Sequence, residues 1–364
     1  QRLLLECSRS ALLEGRIDAK RQDIGVFVGM WASEWYTNIL RTNPAMGQSM
    51  FVDGAWECAA SANRVSFEWG FRGPSVSVDT ACSSSLVAMQ NASLALGHGA
   101  NCTSCLVAGV NMIFDGSKVE RGQQAGLMSR SGRSRPFDSQ ADGYARSEAC
   151  SVVLAESAPG NPPTGNLVTV AECAVGYQGR STSLTTPSGT GQQALLRKAL
   201  GCAGLAAGSV ECYEAAANGS AVGDPIEVET VVSVYLQPGA LSSNAGIALS
   251  GVKGNCGHAE PASGMVGLLK LTDSLATIQA AANAQLRALS PHVKSMLRSV
   301  APCPLPVQLS ELSRSASVKL VGGVSAFGYS GTIAHAVLSC TTERTQCAVP
   351  CSSLVRRLVF GWCK

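Results

Sequence analysis

The strongest limit on the fold is a series of short runs that stay apolar at consecutive positions instead of alternating. DIGVFVGM (23–30), SVSVDTA (75–81), CLVAGVNMIF (105–114), CSVVLAES (150–157) and NLVTVAECAVG (166–176) are of this kind. A strand with one wet face alternates, whereas a strand covered on both faces need not. Helical patterns separate the runs. Leu86, Met89 and Leu96 share one face after Cys82, and Gly97 and Gly99 stop that helix. The second half repeats the style, with helices over 191–205, 223–236 and 260–279 and strands over 209–217, 246–255 and 317–328. Such alternation predicts an α/β architecture with helix-covered sheets. A boundary near NPPTGN (161–166) divides the chain into a half over 1–160 and a half over 161–338. Residues 339–364 show no clear period and are read as an irregular tail.

The chain has 364 residues, 46% hydrophobic and 15% charged, enough for two domains or one double-sized one. Net charge is +3, with no basic block and few aromatics, which argues against nucleic acid as a partner. No apolar run reaches the roughly 18–20 residues that span a bilayer; GMVGLLKLTDSL is broken by Lys270 and Asp273. The opening QRLLLECSRSALLEG starts at Gln1 and reads as the middle of a helix, so the chain is taken as a fragment with any upstream targeting signal out of view. Fifteen cysteines lie mostly singly in apolar segments, as buried free thiols do, which points to a reducing compartment. The one CxxC, Cys102 to Cys105, has no second pair and no nearby histidine pair, so no metal is expected. No phosphate loop or dinucleotide fingerprint is present, and no bound cofactor is expected.

VDTACSSSL (78–86) places Cys82 where a strand turns into a helix. Free N–H groups and the helix dipole favour negative charge there, so the position predicts a lowered thiol pKa and a nucleophile. The flanking Ala81, Ser83, Ser84 and Ser85 are small enough to let a substrate approach. On this local pattern alone, a cysteine filling a gap beside the strand fits equally well.

Six blocks in order remove that ambiguity: QRLLLE, GPSVSVDTACSSSLVAM, RPFDSQADGYARSE, GDPIE, VKGNCGHAEPASGMVGLLK and GVSAFGYSGTIAH. Together they resemble the β-ketoacyl synthase (ketosynthase) family, of the type in modular polyketide synthases and multifunctional fatty acid synthases. The resemblance implies a thiolase-like fold, a five-layered α-β-α-β-α sandwich of two similar halves, usually dimeric. It implies a further strand and helix before QRLLLE, absent from this sequence. It also implies a reaction: acyl transfer from acyl carrier protein phosphopantetheine to cysteine, then decarboxylative condensation with a malonyl-type extender. Cys82 matches the family nucleophile, and the backbone N–H groups of Cys82 and Tyr329 match the oxyanion hole. His258 matches the second catalytic histidine, its neutral ring donating from Nε2. Lys253, on the strand leading into that turn, supports it electrostatically, with Asn255 beside it. His98, His292 and His335 are read as turn or structural residues. The implied partners are acyl carrier protein, a second copy of the chain and an adjoining acyltransferase domain, in cytoplasm or an organelle stroma.

The sequence also departs from the family. The motif E-A-H-G-T-G-T before GDPIE is here EAAANGS, residues 214–220, so Ala216 stands at the first catalytic histidine. Asn218 lies two residues on and is a candidate stand-in donor. Glu148-Ala149-Cys150-Ser151 replaces E-G-x-G, and Ser330 and Ile333 alter the G-F-G-G-T-N loop. The expectation is a protein that loads acyl groups on Cys82 but condenses poorly. A non-catalytic docking or scaffold domain and a Cys–His thioester hydrolase are the alternatives.

Overall fold

A computed structural model describes residues 1–17, 21–35, 38, 42–43, 57–97, 102–157, 168–236, 246–298, 300, 302–312 and 319–341. In chain order the elements of the first half are α1 (Arg2–Glu14), β1 (Ile24–Gly29), α2 (Cys58–Trp69), β2 (Ser75–Val78), α3 (Ser84–Gly97), β3 (Ser104–Asn111), α4 (Ser117–Gln124) and β4 (Ala149–Glu156). The second half has β5 (Val168–Tyr177), α5 (Gly189–Cys202), β6 (Cys212–Glu214), α6 (Gly223–Tyr235), β7 (Ala248–Ser250), α7 (Lys253–Cys256) and α8 (Ser263–Thr277). After these come β8 (Gln279–Ala280), α9 (Pro291–Leu297), β9 (Ser310–Glu311), β10 (Lys319–Phe327) and β11 (Thr332–Thr341).

Two sheets carry the fold. The first runs β2-β1-β3-β4 and the second β5-β11-β10-β6-β7. In the first, β1 is parallel to β2 and β3, and β4 is antiparallel to β3. In the second, β6 is parallel to β7 and β10, and β11 is antiparallel to β10. The two patterns are the same, so β2, β1, β3 and β4 correspond to β7, β6, β10 and β11. Burial on both faces holds for β1, for β3 except Val110 and for all but the end residues of β10, whereas β2, β4 and most of β5 are only half-buried.

Helices α1 and α2 cover the outer face of the first sheet, and α5, α6 and α9 lie beyond the second. Between the sheets lie α3 and α8, giving the five-layered α-β-α-β-α sandwich. A helix covered on both sides cannot be amphipathic in the ordinary way. Accordingly Leu86, Val87, Ala88 and Met89 are all buried in sequence, wider than the single face that the periodicity predicts. Their core is continuous with Met265, Leu268 and Leu271 of α8 and Val107 and Val324 of the sheets.

Three readings need correction. Lys253 is not on a strand: β7 stops at Ser250, and Lys253 opens the short helix α7. Residues 339–341, read as the start of an irregular tail, belong to β11, which pairs with β10 as far as Thr341; residues 342–364 lie outside the description, as do His98 and 161–166. Helices α2, α4 and α9 and strand β11 have no counterpart in the sequence expectation.

The close approach of α3 to β1 requires a glycine. A Cβ on Gly29 would sit 2.4 Å from the backbone N and Cα of Ser85. Gly29→Ala is therefore expected to cost about 3 kcal/mol, the upper end for overpacking. Gly97→Ala, where an added Cβ meets nothing within 4 Å, should change stability by less than ~1 kcal/mol. Urea unfolding of the two variants checks the contrast.

Candidate active site

Cys82 occupies the turn between β2 and α3, which is built by its neighbours. Ala81 adopts φ +55°, a left-handed conformation unusual for a residue with a Cβ. Its N–H donates to Asp79 Oδ1 at 3.0 Å. The Ser84 hydroxyl donates to Ala81 O at 2.6 Å and accepts the N–H of Thr80 at 2.9 Å. Ser83 Oγ donates to Thr80 O, and Ser85 Oγ accepts the N–H of Met265 in α8 at 3.0 Å. All three serines are fully buried. They hold the turn and lock α3 to α8; clearing space for a substrate is not their role.

A cavity of about 260 Å³ opens above this turn, lined by Cys82, Ala216, Asn218, Lys253, His258 and Tyr329. Residues from both halves, far apart in sequence, thus share one space. Tyr144, Asp224, Glu227 and Trp31 border it too. The family-like blocks ADGY and GDPIE contained the first three, but nothing local assigned them a place in the wall.

His258 follows α7 and is buried. Its Nδ1 accepts the N–H of Glu260 at 3.2 Å, which leaves the proton of a neutral ring on Nε2. Burial, then the charge of Lys253, holds its pKa well below the usual imidazole range. Tyr144 packs edge-on against the ring, 4.7 Å between centroids. Lys253 Nζ donates to the carbonyl oxygen of Ala216 at 2.6 Å. The N–H of Ala216 donates to Glu227 Oε1 at 2.8 Å. Alanine's methyl group offers the cavity no donor of its own.

Asn255 is not part of the site. It is exposed, and its amide donates to Ala282 O at 3.0 Å. On a strand, residues 253 and 255 would share a face; on helix α7 they lie roughly 200° apart, so Lys253 faces the cavity and Asn255 faces away. His335 is buried among Tyr213, Tyr235 and Ser325, with Ser325 Oγ 2.9 Å from its Nδ1, and stands outside the cavity. His292 is exposed on α9.

The resting thiol differs from the sequence expectation. Burial pushes Cys82 up to about 12, against the opposing pull of Lys253 and of the backbone N–H groups of Cys82 and Tyr329. The backbone N–H groups of Cys82 and Tyr329 thus act on the thiol from close by. Tyr329 itself is 56% exposed at the rim. The Ser330 and Ile333 replacements leave the loop closed, with Gly331 N–H donating to Gly328 O at 2.9 Å and Ile333 buried in β11. Among the described residues, no group of three or more His, Cys, Asp or Glu side chains is placed to hold a metal, and no helix is long and apolar enough to cross a membrane.

Glu227 carries a pH consequence. Burial raises it from 4.5 to about 8, although Ala216 N–H and Lys253 oppose the shift. Between those values the folded protein holds a proton that the unfolded chain releases, so this group makes stability fall as pH rises. Glu227→Gln keeps the acceptor for Ala216 and removes the titration. Relative to that variant, the wild type should lose stability from about pH 5 to pH 8, approaching ~1.4 kcal/mol per pH unit. Denaturant unfolding at pH 5, 6.5 and 8 measures it, and parallel curves for the two proteins would contradict it.

Comparison with known proteins agrees with this geometry. Residues 1–159 match the family model "Beta-ketoacyl synthase, N-terminal domain", and residues 167–287 match "Beta-ketoacyl synthase, C-terminal domain". The highly reducing polyketide synthase VdtX of Byssochlamys spectabilis is 31% identical over 346 residues, 93% of this chain and 15% of that protein. Polyketide synthase ThaG of Burkholderia thailandensis is 35% identical over 351 residues, 93% of this chain and 6% of that protein. The chain thus spans only a small part of the relatives it matches. Among solved structures, the oxazolomycin ketosynthase domain OzmH KS7 of Streptomyces albus JA3453 superposes with a TM-score of 0.84 at 28% identity, over 94% of this chain and 61% of that one. The ketosynthase from module 6 of the Bacillus subtilis 168 bacillaene synthase shares the fold, with a TM-score of 0.81 at 24% identity, over 94% of this chain and 58% of that one. A thiol and an imidazole brought from two matching halves into one cavity, together with these matches, make this chain a member of the β-ketoacyl synthase family, a ketosynthase domain of the polyketide synthase type.

Proposed function

We propose that the domain accepts acyl groups from acyl carrier protein phosphopantetheine onto Cys82 and is weak in decarboxylative condensation. The observation that carries this reading is the cavity in which Cys82, His258, Lys253 and the Tyr329 loop meet while Ala216 supplies no donor. In loading, Sγ attacks the thioester carbonyl carbon. The oxyanion that forms is held by the N–H groups of Cys82 and Tyr329, and the pantetheine sulfur leaves. The proton lost from Cys82 reappears on the departing thiol, so the exchange is balanced without an external acid. The thiolate is the attacking form, so the Cys82 proton leaves before attack and an equivalent proton is taken up by the departing pantetheine sulfur.

Condensation asks for more. When carbon dioxide leaves a malonyl thioester, negative charge moves onto the thioester oxygen and must be met by preorganised donors. His258 Nε2–H supplies one. The second would come from position 216. Losing one such donor costs about 3–4 kcal/mol, two to three decades in rate. Asn218 borders the same cavity, but its backbone N–H is committed to Asp224 at 3.2 Å, which holds this loop in a fixed conformation. The open edge of β2, paired only with β1 among the described residues, supports the homodimer that the family resemblance implies.

Intact-protein mass spectrometry after mixing with an acyl-carrier thioester should show one acyl adduct, lost in Cys82→Ala. An unmodified wild type would leave a docking or scaffold role instead, and steady release of free acid would indicate a hydrolase. In a separate measurement, Ala216→His should raise carbon dioxide release from malonyl thioester by about a hundredfold or more. An unchanged rate with normal Cys82 loading would mean that the missing histidine is not what limits condensation.

A further inference from the structure

Helix α1 meets strand β4 of the first sheet through a pair of thiols. Leu4, Ser8 and Leu12 are the buried residues of α1, and Cys7 stands half-buried at the border of that face. On β4 the side chains alternate. Val153 and Ala155 join the core that contains α3, while Cys150, Val152 and Leu154 join the cluster that contains Leu4 and Leu12. Cys7 and Cys150, 143 positions apart, are thus turned toward one another, and Cys7 Sγ donates to Cys150 O at 3.7 Å. We propose that Cys7 and Cys150 form a redox site, closed to a disulfide by a low-molecular-weight disulfide such as glutathione disulfide and reopened by a dithiol, and that the closed form staples α1 to β4. The proposal is independent of what Cys82 carries.

The pair has an attacking member and a resolving member. A hydrogen bond from the Cys150 thiol draws the pKa of Cys7 down, against the opposing effect of burial. The same bond, and then burial, hold Cys150 up as the thiol. Cys7 is therefore the readier thiolate, and neither residue is sealed from solvent. Cys7 Sγ attacks one sulfur of glutathione disulfide, and one glutathione leaves as the thiol with the proton that Cys7 gave up. Cys150 Sγ then attacks Cys7 Sγ, and its proton goes to the second departing glutathione. Two protein thiols are oxidised and one glutathione disulfide is reduced to two glutathiones, with no proton left over. Cys102 and Cys105 supply the contrast. Their sulfurs lie 3.8 Å apart, yet both residues are buried and burial pushes Cys105 up, so access and thiolate character are both lacking.

The test is a time course of the reduced protein with glutathione disulfide, quenched, digested and mapped by mass spectrometry. The wild type should yield a cross-linked peptide pair joining Cys7 to Cys150 before Cys102 and Cys105 react. Cys150→Ser should stop at a glutathione adduct on Cys7, and Cys7→Ser should give neither that adduct nor the cross-link. The oxidised wild type should melt about 3–5 °C above the reduced protein, because the bond ties positions 143 apart in the unfolded chain. Dithiothreitol should reverse the shift. A glutathione adduct that persists on wild-type Cys7, or oxidation of Cys102 and Cys105 while Cys7 stays reduced, overturns the redox site. Cross-linking with no change in melting overturns the staple.

Discussion

The contact between α3 and α8 is the constraint on which the site depends. These helices lie back to back between the sheets, and their N-termini carry Cys82 and His258. The Ser85 hydroxyl accepts the N–H of Met265 across 180 residues of sequence, and Ser263 donates to the carbonyl of Cys82 at 3.2 Å. Small residues make the approach feasible. A Cβ on Gly264 would strike the Leu86 side chain at 2.7 Å, and one on Gly109 would come within 3.0 Å of the Ala262 backbone. Because the hydrogen bonds are buried and the packing is tight, a shift of either helix costs satisfied polar groups as well as apolar contact. The matching topology of the two sheets places the two helix starts side by side, and function follows from that symmetry.

A second theme is charge suppression. Burial pushes Cys82 and Glu227 up and His258 down, all toward their neutral forms, and raises Asp224 to about 6 although four backbone N–H groups oppose it. Lys253 is the one ammonium or guanidinium among the described residues lining the cavity. A pocket in which burial holds the thiol, the imidazole and Glu227 toward their neutral forms strengthens every donor aimed at a developing oxyanion, since less water competes. The same logic makes the absence of a donor at residue 216 expensive, because no solvent replaces it cheaply.

Much of the site was legible because motifs report local backbone. The strand–turn–helix around Cys82 and the spacing from Glu214 to GDPIE that aligns Ala216 follow from neighbours in the chain. Asn255 was misplaced because a stretch of four residues reads equally as strand or helix, and only the second rotates it out of the pocket. The three serines after Cys82 looked permissive for a substrate; their hydroxyls are spent on the turn and on α8. Strand β11 escaped notice because its run of small residues, Ala334, Ala336, Ser339 and Cys340, packs between layers without the bulk that marks a strand in sequence.

The amino-acid sequence by itself determined the alternation of covered strands and helices, the position of a thiol at a helix start, membership in a family through ordered motifs, and the loss of a histidine at residue 216. These depend on residues within a few positions of one another, or on their order. Tertiary structure alone decided which side chains close the cavity and in which direction the Cys82 thiol is shifted. Desolvation and packing are sums over groups that meet only after both halves have folded, and no local pattern contains them.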